Sequence, residues 1–66
     1  MDINSLKHNE GKKVSVILNN NNVYSHVNYD VTTEGTIVFK DNKNGRECYV
    51  LSEFVAMIRV EEEWEG

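Results

Sequence analysis

The chain has 66 residues, seven Lys and Arg against eleven Asp and Glu, a net charge of −4 and a single cysteine. That length allows one domain, and one cysteine excludes a disulfide framework. No apolar run approaches the 18 residues of a membrane span, and the start MDINSLKHNEGKK lacks the apolar core of a signal peptide. A free cysteine without an export signal points to the cytoplasm. Nine asparagines and no proline fit the genome of an AT-rich bacterium or its phage. Four of the acids, Glu61, Glu62, Glu63 and Glu65, lie in the last six residues, and without them acids and bases balance. A neutral body with an acidic tail lacks the footprint of a general nucleic-acid binder.

In chain order, residues 1–10 read as a short helix. Asp2 or Asn4 caps it, Ile3 and Leu6 share one face, and Gly11 ends it. Ten such residues are not stable alone and must dock Ile3 and Leu6 on the body; a disordered leader is the alternative. Lys12 to Leu18 alternates as a strand, with Val14, Val16 and Leu18 on one face. Asn19 to Asn22 makes a turn.

Val23 to Val31 reads as one strand. Val23, Ser25, Val27, Tyr29 and Val31 face the core, and Tyr24, His26, Asn28 and Asp30 face outward. That polar face is either a binding surface or an ordinary solvated sheet face. Thr32 to Gly35 turns the chain again.

Thr36 to Leu51 reads as a hairpin around Asn44-Gly45, since a two-residue turn needs positive φ at both central positions. This register puts Phe39 opposite Val50, Lys40 opposite Tyr49 and Asp41 opposite Cys48. Lys43 and Arg46 flank the tip as two like charges, which suit either an anion or merely a soluble hairpin end. Val38, Tyr49 and Leu51 are apolar on the face away from the core and need cover from the helix or another subunit. Ser52 to Phe54 suits a single 3₁₀ turn. Ala56 to Glu61 returns as the last strand, with Ile58 and Val60 inward. Residues 62–66 form an acidic tail in which Trp64 packs on the body or on a partner. The tail is either a solubility aid or a nucleic-acid mimic for a basic cleft.

The expected fold is mainly β: the helix 1–10, then a five-strand barrel over 12–61, in one domain. This order resembles the Sm-like small barrels, and other SH3-like barrels fit almost as well. Gly11 to Leu18 (GKKVSVIL) resembles the family's Gly-Lys first strand. Tyr29-Asp30 followed by Thr36 to Asp41 (TIVFKD) resembles its aromatic-Asp and the strand after it. The resemblance implies strongly bent strands and rings assembled through strand edges. The glycine it implies after the Asn turn is absent, and His26-Val27 occupies that region. Thr33-Glu34 stands where RNA-binding members carry the base-contacting Asn, and Glu53-Phe54 where they carry Arg-Gly or Lys-Gly. The resemblance therefore speaks for the fold more than for the activity.

Catalysis is not expected. His26 and Asp30 are about 13 Å apart along an extended strand, too far for a dyad. Cys48 reads as a small core residue, and His8, His26 and Cys48 have no metal-ligand spacing. No cofactor is implied. Two functions remain. One is a self-associating regulatory or inhibitory module, such as a phage-type anti-defence protein. It would bind a partner protein or small ligand at a subunit interface, with Tyr24, His26, Asn28, Asp30, Lys43, Arg46, Tyr49 and Trp64 as candidate contacts. The other is a single-stranded RNA binder in which Tyr24 or Tyr49 stacks bases and Lys12, Lys13, Lys43 and Arg46 meet phosphate.

Overall fold

The structure is a computed structural model and describes residues 1–61. Among them, helix α1 (Ile3–His8) precedes six strands: β1 (Val14–Leu18), β2 (Val23–Val27), β3 (Tyr29–Val31), β4 (Thr36–Lys40), β5 (Glu47–Leu51) and β6 (Val55–Val60). A 3₁₀ turn at Ser52–Phe54 joins β5 to β6, where the sequence places it. The strands form two antiparallel sheets, ordered β2-β1-β6 and β3-β4-β5. The fold is mainly β with a short helix, as expected, but the strands number six in two sheets instead of five in one barrel.

The extra strand comes from a break in the segment 23–31. On β1, Val14 pairs with Val27 and Val16 with Tyr24, so Ser25 and His26 together stand opposite Ser15. Two residues against one is a β-bulge, which bends the strand and interrupts its alternation. His26 takes φ 57°, in the left-handed region, and Asn28 lies outside both strands. The bulge reverses the inward face. Val27 and Tyr29 are buried as expected, but before the bulge Tyr24 turns inward and Val23 is exposed. Tyr24 packs on Phe39 with ring centroids 5.1 Å apart. The assignment of Tyr24 to the outer face and Val23 to the core is therefore corrected.

A left-handed conformation costs an L-residue about 1–2 kcal/mol, whereas glycine adopts it freely at a smaller entropic cost. His26→Gly is therefore expected to stabilise the fold by up to about 1 kcal/mol and raise Tm by a few degrees. Thermal unfolding followed by circular dichroism checks this, and a lower Tm would show that the ring has a structural role.

The hairpin forms between the expected strands in a different register. Phe39 pairs with Cys48, Val38 with Tyr49 and Lys40 with Glu47. The pairing shifts by two residues because the loop is longer than Asn44-Gly45. The Asp41 amide donates to the Arg46 carbonyl at 2.8 Å, and Gly45 N–H donates to the Asp41 carbonyl at 2.7 Å. Within the loop, Asp41 Oδ1 accepts from Lys43 N–H and Asn44 Oδ1 from Arg46 N–H. These side chains supply the bonds that a two-residue turn would forgo, so only Gly45 needs positive φ. A slip of two keeps every side chain on its face. Ile37 and Phe39 still point into the core.

The core lies between the sheets. Leu6, Val14, Val16, Val27, Tyr29, Ile37, Phe39 and Val55 are buried together. Leu6, from α1, is fully covered, and Ile3 packs beside it. Asp2 occupies the N-cap, but its backbone carbonyl, not its side chain, accepts the first helix bonds. The helix is tied down by Tyr29, whose hydroxyl donates to the Leu6 carbonyl at 2.5 Å, and by Glu10, which accepts the Val31 N–H at 2.9 Å. The Met1 ammonium donates to the carbonyls of Ser52 and Val55. Residues 1–10 are thus docked, and the disordered-leader alternative is set aside. No helix among the described residues is long and apolar enough to cross a membrane.

Candidate functional site

Two concave surfaces bear on function. The first is a cleft of about 730 Å³ between Asn21 to His26 on one side and Asp41 to Lys43 on the other. The second, of about 550 Å³, is an apolar groove lined by Leu18, Asn19, Asn20, Tyr49, Val50, Leu51 and Phe54.

The first cleft brings together Tyr24, His26 and Lys43 from the eight candidate contacts. Their positions follow from the bulge and the hairpin loop. β2 belongs to one sheet and Asp41 to Lys43 to the end of the other, so the cleft bridges the sheets. Asn42 holds its walls together: its amide Nδ2 donates to the Ser25 carbonyl at 2.9 Å and to the His26 carbonyl at 2.6 Å. A single amide thus anchors the hairpin loop to the two bulge residues. Sequence reasoning missed Asn42, because in the string DNKNG it reads as one more turn residue. Nothing local signals a contact 16 residues away.

The remaining candidates lie elsewhere. The Asn28 amide donates to the Gly11 carbonyl at 3.0 Å, a brace between the strand break and the helix exit. Asp30 is exposed on β3 opposite Val38, in the other sheet from His26. The four residues expected to share one continuous strand face are therefore divided by the break. Arg46 is exposed at the closing end of the hairpin loop and does not line the cleft. Tyr49 lines the second groove, and its hydroxyl donates to Glu47 Oε1 at 3.3 Å. Trp64 lies outside the described residues, as does the tail that was read as a solubility aid or a nucleic-acid mimic.

Burial, reinforced by the nearby Glu10 carboxylate, pushes the Tyr29 hydroxyl up to about 12. It sits in the core and marks helix docking, not a reactive site. Ser15, the one buried polar residue among the described residues, donates its hydroxyl to Glu61. Cys48 is half buried. Among the described residues, no cluster of three His, Cys, Asp or Glu side chains is placed to hold a metal ion.

No protein-family model matches the chain, and neither a curated protein nor a solved structure does.

Proposed function

We propose that the protein is a non-enzymatic binding module that self-associates and acts in a regulatory or inhibitory role. It would engage a partner protein or a small ligand where subunits meet. One observation carries this reading: β5 and β6 each lie at the outer edge of a sheet and expose apolar side chains beside that edge. Tyr49 is 68% exposed, Leu51 46% and Met57 45%. Edge strands carry unpaired backbone N–H and C=O groups, and natural sheets usually blunt them with charge or proline. Here Tyr49 and Leu51 instead present an apolar row, continued by Phe54 at the second groove. Pairing of β5 of one copy with β6 of the next would satisfy the backbone groups and cover this row. The order of helix, strands and 3₁₀ turn resembles that of the Sm-like and SH3-like small barrels, here with the strands in two sheets.

Native mass spectrometry and light scattering at micromolar concentration test the reading. An oligomer is expected, with Leu51→Lys shifting it to monomer while leaving stability within about 0.5 kcal/mol, as for other exposed sites. A wild-type chain that is strictly monomeric overturns it. RNA co-purifying with the assembly would favour the single-stranded RNA alternative.

A further inference from the structure

We propose that the cleft between β2 and the hairpin loop binds a small ligand that joins a flat ring to an anionic group. This chemistry is shared by nucleoside monophosphates and aromatic carboxylates. The proposal is independent of self-association, because the cleft opens on β2 and the loop and not on β5 or β6.

The first reason is backbone conformation. Among the described residues, only Asn21 and His26 combine positive φ with a side chain, and both line this cleft. Asn21 is ordinary turn chemistry, since asparagine tolerates the left-handed region. His26 is not: its φ of 57° suits glycine, and the chain places an imidazole there instead. Strained residues of this kind concentrate at binding sites, and bulges re-aim side chains next to them.

The second reason is rigidity. Asn42 ties the bulge carbonyls to the loop, and Asp41 and Asn44 fix the loop internally. A cleft whose walls are already held loses little freedom when a ligand enters.

The third reason is the set of uncommitted groups. The Tyr24 hydroxyl, the His26 ring, the Ser25 hydroxyl and the Lys43 ammonium make no hydrogen bond to another described residue. Tyr24 is steadied by Phe39 and contributes a fixed aromatic surface. His26 adds a second flat ring and Lys43 a cation. The one carboxylate in the cleft, Asp41, has an oxygen engaged by the Lys43 amide. Flat surfaces beside a cation select a ring that carries negative charge.

Titrations of ¹⁵N-labelled protein followed by amide shifts test the proposal, with adenosine 5′-monophosphate, 4-hydroxybenzoate, adenosine and inorganic phosphate as probes. Saturating shifts centred on Tyr24 to His26 and Asn42 to Lys43 are expected with one of the first two probes. Which of them saturates at lower concentration identifies the source. Adenosine and phosphate alone are expected to bind at least about tenfold more weakly, the worth of losing one half of the contact set. Lys43→Gln is expected to weaken binding about tenfold, as for loss of a charge-assisted hydrogen bond. His26→Gly is expected to weaken binding while raising Tm, a pairing that misfolding cannot produce. Three results each overturn the proposal: no saturating shift at millimolar probe, shifts centred on another face, or His26→Gly binding as tightly as wild type.

Discussion

Ile37→Ala is expected to leave the protein largely unfolded at 37 °C. Ile37 lies on β4, the central strand of its sheet, and is fully buried between Val31 on one side and Val50 on the other. Truncating a buried isoleucine to alanine costs about 2–5 kcal/mol, comprising lost transfer energy and the cavity left behind. A single core of this size rarely supplies more than about 3–5 kcal/mol in total. The substitution therefore removes most of the stability. Urea unfolding followed by circular dichroism measures it. A midpoint within experimental scatter of wild type would mean that the core is not centred between the sheets. Leu6→Ala separates global from local loss. If α1 only caps the core, the sheets survive and helical signal alone is lost; if it completes the core, both go together.

Alkaline pH is expected to undock the helix through Tyr29. The ordinary tyrosine value of 10.0 is raised to about 12 because burial disfavours the phenolate and Glu10 adds repulsion. A group whose value is raised by folding contributes stability that is fully present below pH 10. Above that, the unfolded chain loses its proton first, and the contribution disappears as pH rises towards 12. The expected loss over this window is roughly 2 kcal/mol, since each unit is worth about 1.4 kcal/mol. Tyr29→Phe removes both the titrating group and the bond to the Leu6 carbonyl, at about 1 kcal/mol near neutrality. The Leu6 carbonyl keeps a second donor, the Asn9 N–H, which limits that cost. The two stability curves should therefore meet and then cross between pH 10 and 12, the variant being the more stable at the upper end. Parallel curves over that range would show that Tyr29 does not titrate from a buried position.

These two side chains also show what local sequence reveals. Ile37 and Tyr29 were assigned to the core from alternation alone, and both are buried. The same reasoning failed six residues before Tyr29, at Val23, which is exposed while Tyr24 turns inward. Alternation assumes an uninterrupted strand, and the bulge at Ser25-His26 adds one residue to the count. Its sequence signature would ordinarily be a glycine, so His26 concealed it. At the hairpin the turn residues were recognised but the loop length was not. Asp41 and Asn44 have two ways to bond a nearby backbone, and the choice between a short and a longer loop rests on the strands they connect.

The candidate site was legible only in part. Tyr24, His26 and Lys43 were named for chemistry, and the cleft gathers those three from the eight candidate residues. Asn42 was not named, and Asn28 serves as a brace instead of a contact. The aromatic and charged types that can bind something are visible in a string of letters. Which of them face the same space depends on a strand that changes sheets at residues 26–28.

By itself, the sequence determined the element types and the chain order. A short helix, alternating apolar segments, Asn- and Gly-bearing turns and the 3₁₀ turn at Ser52–Phe54 are set by propensity and periodicity within a few residues. It also determined which faces of the hairpin are apolar, because a slip of two preserves them. Tertiary structure alone decided that β2 and β3 separate into two sheets, that Tyr24 meets Phe39, and that Asn42 clasps the bulge. Each of these depends on contacts between residues distant in sequence. The chain leaves one sheet for the other at Asn28, and the bulge at Ser25-His26, with His26 in the left-handed region, bends the backbone just before that crossing.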